Sequence, residues 1–489
     1  MIEEQVKIHD KFSVEIKLGF NARRKQEVSD FSVNTWIFIP NSLDINRTTY
    51  QKTDFYRDLK SNIRLITPVY LLRDLANPGK EPFTILQKAM SELASEPTRT
   101  RVAEYEYHIR MFVSIVKSSL REEIHHIHSN GIVEDVDYLI DALVSNMHSI
   151  ASNYRNLRRI INVPTIGKEL MNYYFFGDEF LSNILEQHAF KLIDGLKKTG
   201  ILNEERKAML MNFINDEVAY KREKGFLVVE KNSSDKNREL VFRLSLLKKY
   251  AENELFLNTN QRRDGVWIEQ VYLSIAAGLS MVFATAVAFS FQQKYGNFTM
   301  PFFVALVVSY MLKDRIKELT RYYFAHKLGR RFFDHRTDIT LSDHKIGWSK
   351  ESMVFVPENK VPAEVIKVRN RSAILEADNR NNREKIILYR KLVRLNRKSL
   401  NECSPYPTSG MNDIVRFNVS NFIQKMDNQV VPLYAPGENE DFEIVKGEKM
   451  YYINLVLQLK NEEQLDYKRY RIVLRSEEHT SELQSPNTI

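Results

Sequence analysis

QVYLSIAAGLSMVFATAVAFSFQQ, residues 270–293, holds no charged side chain, and beyond Lys294 a second run, YGNFTMPFFVALVVSYML at 295–312, holds none either. In a chain with 27% charged residues, two such runs in succession point to a lipid phase. Wound as a helix rising about 1.5 Å per residue, the first run exceeds the roughly 30 Å of a hydrocarbon core. The second covers only about 18 Å from Pro301 to Leu312. It must stand nearly upright, snorkel Lys313 or thin the bilayer, and re-entry without crossing is its rival. The expectation is a two-helix transmembrane hairpin over residues 265–313.

Small side chains recur every fourth residue in the first run, at Ala276, Ser280, Ala284 and Ala288. They form one stripe on a helix, a surface that lets another helix approach closely. In the second run Ala305 and Ser309 repeat the spacing, and Pro301 suits a first helical turn. Cations flank the pair unevenly. Lys294 stands alone in the turn, whereas Lys313, Arg315, Lys317, Arg321, Lys327, Arg330 and Arg331 follow the second run and Arg262 and Arg263 precede the first. The positive-inside rule then predicts a multi-pass plasma (inner) membrane protein with both large regions cytoplasmic. Residues 314–334 read as a basic amphipathic juxtamembrane helix that can lie on anionic headgroups.

Working outward, apolar residues alternate at Phe12, Val14, Ile16, Leu18 and Phe20, and again at Val33, Thr35, Ile37 and Ile39. Two half-buried strands are expected, paired as a hairpin in an N-terminal module of residues 1–48. From 49 to 264 the period becomes helical. One face of a long helix carries Val102, Tyr105, Ile109, Phe112, Val116, Leu120, Ile124 and Ile127. After a break at Gly131, steps of four and three alternate through Val136, Ile140, Leu143, Met147, Ile150, Tyr154, Leu157 and Ile161, a heptad seam. Residues 98–162 should form an antiparallel, coiled-coil-like helical hairpin. Further helices are expected over 168–198, over 203–224 and from 236 onward. Beyond 335 the period returns to two, at Val415, Phe417 and Val419 and from Tyr451 to Leu459. With runs at 353–356, 363–368, 385–393 and 471–474, residues 335–474 read as a β-rich cytosolic domain.

The fold class expected is therefore an α+β membrane protein. Its two-helix transmembrane hairpin separates an N-terminal, mainly helical region with a small β-hairpin start from a C-terminal β-rich domain.

RSEEHTSELQSP, residues 475–486, resembles the conceptual translation of a sequencing adapter read past the end of its insert. Residues 475–489 are set aside as an adapter-like artefactual tail, and the natural chain is expected to differ beyond Leu474.

With 489 residues and a formal net charge of +8, the chain is long enough for several cores and permits anionic partners. Cys403 is the only cysteine, which rules out an intrachain disulfide and a Cys-rich zinc site and suits a reducing compartment. The metal-like cluster is Glu122, His125, His126 and His128 in REEIHHIH, where Glu122 and His125 have an E-x-x-H spacing. A di-iron bundle needs a second such pair, and none is found. A solvated helix end is the favoured reading of those histidines. Arg23, Arg24 and Lys25, with Arg155, Arg158 and Arg159, read as solvated faces, because no aromatic residues interleave them as nucleic-acid binding requires. No phosphate loop, dinucleotide fingerprint, nucleophile elbow or H-E-x-x-H motif occurs.

No catalytic residue and no cofactor is named by the sequence. The partners expected are the lipid bilayer and, through the helices, a second copy or another protein, with nucleic acid disfavoured. The expected role is a membrane-anchored scaffold, assembly or sensing protein. A membrane-tethered enzyme without a readable motif is the first alternative. A transporter or channel subunit is the second, disfavoured by spans that carry no ionisable residue.

Overall fold

The computed structural model describes residues 2–22, 26–129, 132–297, 299–323, 332–341, 344–370, 384–426, 430–436, 442–461, 464–475 and 482–484. The fold is mixed helix and sheet, of the α+β class. Two compact units are each assembled from separate stretches of chain. Unit 1 comprises Met1–Ile63, Asn258–Cys403 and Asn412–Ile489, and unit 2 comprises Arg64–Leu257 with Ser404–Met411.

In chain order, strands β1 (Ile2–Asp10), β2 (Ser13–Asn21) and β3 (Val28–Ile39) precede helix α1 (Lys52–Asp58) and strand β4 (Leu59–Leu65). Helices α2 (Leu72–Leu75), α3 (Phe83–Ser95), α4 (Arg99–Ser129), α5 (Val133–Asn156), α6 (Arg158–Ile161), α7 (Lys168–Thr199), α8 (Glu204–Glu223) and α9 (Ser234–Glu252) build unit 2. Strand β5 (Asn258–Arg263) then leads into α10 (Val266–Tyr295) and α11 (Met300–Tyr323). Strands β6 (His335–Leu341) and β7 (His344–Val356), helix α12 (Ala363–Arg369), and strands β8 (Lys385–Asn396) and β9 (Gly410–Asn418) follow. The last strands are β10 (Val430–Pro436), β11 (Phe442–Glu448), β12 (Tyr451–Asn461), β13 (Gln464–Leu474) and β14 (Glu482–Gln484).

Unit 1 stacks a sheet of order β1-β2-β9-β4 on a second of order β14-β13-β12-β3-β8-β7-β6-β5. Inward side chains of β2 (Val14, Ile16, Leu18) and β9 (Val415, Phe417) meet those of β3 (Ile37), β8 (Tyr389) and β12 (Leu455) around a small apolar gap. On the other face of the large sheet, Val365 of α12 packs with Trp36, Phe38, Ile386 and Val456. β3 is thus buried on both faces, which explains its nearly continuous apolar end, TWIFI.

Several expectations change here. β2 and β3 do not form a hairpin: β2 pairs with β1, and β3 lies between β12 and β8. Alternation marks a strand but names no partner, and the longer β8 and β12 satisfy both edges of β3. No separate N-terminal module of residues 1–48 is formed. The stretch 49–264 contains the strands β4 and β5. Residues 363–368 are helical, because Pro362 opens α12 and its apolar positions fit a helix turn as well as a strand.

In unit 2 the seam from Val136 to Ile161 is buried, but its helix shares contacts with α2, α4, α7 and α8 rather than α4 alone. A two-stranded coiled coil is not formed. α4 packs most extensively on α7, whose residues Gly177–Glu186 are buried without interruption around the helix. Polar members of that stretch find partners within the unit. Asp178 accepts from Tyr220 at 2.6 Å, and Glu179 takes a bidentate bond from Arg243. Ser182 donates to Glu217, and Lys221 pairs with Glu186. The segment Ser404–Met411 brings Tyr406 into this unit, where its buried hydroxyl lies 2.9 Å from His108 Nδ1.

α10 and α11 pack against each other as a helical hairpin. Among the described residues only α10 is long and apolar enough, by length and composition, to cross a membrane. α11 runs without a break through Lys313, Arg315, Lys317 and Arg321 to Tyr323. Lys327, Arg330 and Arg331 lie outside the described residues, as do Gly131 and Arg23–Lys25. Residues 332–334 are not helical, so the juxtamembrane helix does not extend to 334. Of the tail, Glu482–Gln484 pairs with β13. An open sheet edge accepts any extended segment, so this pairing carries no sequence information.

Candidate functional site

At one end of the unit 1 sandwich the inner face turns from apolar to charged. Along β8 the inward positions read Ile387, Tyr389, Lys391, Val393 and Leu395, all buried, with one lysine among them. Along β7 they read Ser349, Glu351 and Met353, and along β9 Met411, Asp413, Val415 and Phe417. Strand parity therefore aims Lys391, Glu351 and Asp413 into one interior. Glu351 and Lys391 are also direct cross-strand neighbours.

Their hydrogen bonds close on one another. Lys391 Nζ pairs with Asp413 and stands 3.9 Å from Glu351 Oε2. Ser61 of β4 donates to Asp413 Oδ1 at 2.6 Å, and Lys391 reaches Ser61 Oγ at 3.4 Å. Tyr389 donates to Glu351 Oε2 at 2.6 Å, while Gln261 of β5 donates to Oε1 at 3.1 Å. Burial alone would lower the Lys391 pKa, but Asp413 and Glu351 together hold it above its ordinary value. Tyr389 is pushed well up by burial and then by the same two carboxylates.

Lys391, Glu351, Ser61 and Gln261 of this cluster line one wall of a cavity of about 890 Å³. Opposite lie Lys52 and Tyr56 of α1, Phe332 and Phe333, and the foot of α10 at Gly265 and Glu269. Asp334 organises that side: Lys52 Nζ lies 2.5 Å from Oδ1, and Tyr56 and the Met353 amide donate to Oδ2 at 2.9 and 2.8 Å. Burial, then Asp334 and Glu351, raises the Tyr56 pKa. Gly265 has φ 74°, and a Cβ there would stand 2.9 Å from the Phe332 ring. The start of α10 thus needs glycine both for its left-handed backbone and for the close approach.

The charges around the cavity are mutually paired, Arg263 with Glu269 and Lys350 with Asp264 among them. A lysine kept protonated and phenols kept neutral are donors, not nucleophiles or bases. The arrangement suits recognition of a polar ligand of low net charge.

The residues singled out from sequence fall elsewhere. Glu122 pairs with Arg121, His125 and His126 are exposed, and His128 packs its ring against Gly195. Among the described residues no group of three or more His, Cys, Asp or Glu could hold a metal ion. Cys403 caps a short helix, Arg397–Glu402, and burial, then Glu402, raises its thiol pKa. Ala276 and Ser280 are buried in α10 beside the buried Ala305 and Ser309 of α11, whereas Ala284 and Ala288 are half-buried. Lys313 lies over the Tyr310 ring, and Arg321 is 3.7 Å from Glu318. The cavity cluster was missed by sequence reasoning, because a lysine within KIILYRKLVRLN carries no local sign of which strands face it. No protein-family model matches the chain, and neither a curated protein nor a solved structure matches it.

Proposed function

We propose that the chain is an integral membrane protein, held by the α10–α11 hairpin, that senses a polar ligand in the cavity at the hairpin's foot. One observation carries the anchoring. The only buried side chains of the two helices are small ones, Ala276, Ser280, Ala305 and Ser309, while Ile275, Leu279, Val282, Phe289, Phe303 and Val307 face outward. Packing small residues inside and large apolar ones outside is the reverse of a water-soluble helix pair and suits lipid.

The pairing of β5 with β6 supports a return crossing. These strands flank the hairpin, and Arg263 stands opposite His335. If α10 crosses, α11 must bring the chain back, because paired strands cannot lie on opposite sides of a bilayer. The short apolar part of α11 then requires local thinning or snorkelling of Lys313. Sensing is favoured over a purely structural anchor by the cavity beside Glu269. A membrane-tethered enzyme is the second reading, favoured by Lys391 and Glu351 in the cavity wall, with Asp413 paired to Lys391.

Alkaline carbonate extraction of membranes tests the anchor. The protein is expected in the pellet, and its release to the supernatant would remove the reading.

A further inference from the structure

The unit 1 cavity and a smaller one in unit 2 differ in how their charges are matched. Around the unit 1 cavity cations and carboxylates pair off. In unit 2 a second cavity, of about 250 Å³, lies between α4, α7, α9 and the chain after β4. Its wall carries Arg64, Lys117, Arg121, Lys191 and Lys248 against the single carboxylate Glu252.

Glu252 cannot balance them. Lys117 Nζ binds it at 2.6 Å, and Arg64 shares it at 3.5 Å. Arg121 turns to Glu122. Lys191 and Lys248 have no ion-pair partner among the described residues. Arg64 comes from β4 and the other four cations from three helices by regular spacing, positions 114, 117, 118 and 121 of α4 forming one face, with 188 and 191 of α7 and 248 and 252 of α9 facing it. The floor is polar. Ser114 donates to the Ala251 carbonyl, and buried Ser118 accepts only a long 3.4 Å bond from Arg121.

Two neighbouring groups register the resulting field. His188, buried at the cavity edge, has a pKa lowered to about 4, by burial first and then by Lys191, Lys117 and Arg121. Lys117 is also lowered, by burial first, with Lys248 and Arg64 adding to the effect against the pull of Glu252. Like charges held this close to a small polar recess repel one another until an anion enters.

We infer that this recess in unit 2 is a binding site for a phosphate group. Cations that converge from three helices match an oxyanion with acceptors in several directions better than a planar carboxylate. The volume suits a compact head, a phosphomonoester or a pyrophosphate, and not a polymer. A soluble metabolite and a lipid headgroup carry the same chemistry.

The test uses the detergent-solubilised full-length protein and two probes, inorganic pyrophosphate and dihexanoyl phosphatidate, followed by calorimetry at low and high salt. Saturable binding of at least one probe is expected, weakened at least tenfold in Lys191→Gln/Lys248→Gln and unaltered in Lys197→Gln/Lys249→Gln, whose lysines lie outside the recess. Both pairs are exposed, so folding is retained, and an unchanged melting midpoint checks it. Preference for pyrophosphate assigns a soluble ligand, and preference for phosphatidate assigns a headgroup. Absence of saturable binding by the parent, or equal weakening by both double variants, overturns the site.

Discussion

Lys391 shows how one side chain organises its surroundings. It is fully buried, and Lys391→Met would strand Asp413, which is buried with it. Breaking a buried pair from one side costs about 3–5 kcal/mol. Urea denaturation should show that loss, and Lys391→Met/Asp413→Leu should recover most of it; a single variant as stable as the parent would refute the pairing. Because the folded pKa of Lys391 is raised, its contribution is complete below the ordinary lysine value, about 10.4, and is lost as pH rises through the folded value. His188 has the opposite sign. Its pKa falls from 6.5 to about 4 on folding, so the stability it contributes is complete above about 6.5 and disappears as pH falls toward 4, a change of up to about 3 kcal/mol. His188→Gln should flatten that acid slope, and an unaltered slope between pH 6.5 and 4 would show that other groups cause it. Neither residue was legible as a site in the sequence. A lysine within KIILYRKLVRLN and a histidine within LEQHAF become special only once strand parity and helix neighbours are known.

Among the elements, those with long, clean periods were readable and the short ones were not. The α4 and α5 faces were traced from sequence almost residue by residue, since every three-or-four step from Tyr105 to Ile127 and from Val136 to Ile161 ends on a buried side chain. By contrast, β4, LKSNIRL, offers only a short alternation broken by Ser61, and β5, NTNQRR, offers none. They are strands because neighbouring strands supply their hydrogen bonds. The hairpin of α10 and α11 is the element with the plainest signature, and its stripe can be tested. Ser280→Leu places bulk where α11 approaches and should lower the melting midpoint in detergent, whereas Val282→Leu on the outer face should not. Equal midpoints would mean that the small side chains are tolerated there without being required.

Over the whole molecule, partner choice was what the sequence withheld. Alternation identified β3, β9 and β12 as strands, yet nothing local states that β3 lies between β8 and β12. That order also constrains topology. With Cys403→Ser as background, Asn297→Cys should react with an impermeant maleimide on intact cells, and Asn260→Cys only after permeabilisation. Labelling of both from outside, or of Asn260→Cys alone, would contradict the proposed orientation.

The central place of β3 bears on the order in which the protein can be made. Val28–Ile39 leaves the ribosome long before one of its two neighbours, Tyr451–Asn461. At roughly 5–20 residues per second, that interval lasts on the order of tens of seconds. Throughout it, a strand as apolar as TWIFI has an unpaired edge, while unit 2 can complete its helices as they emerge. The nascent chain should therefore hold the formed helices of unit 2 while the sheet is still unfinished, and the first strands would depend on a chaperone until the β12–β13 hairpin is released.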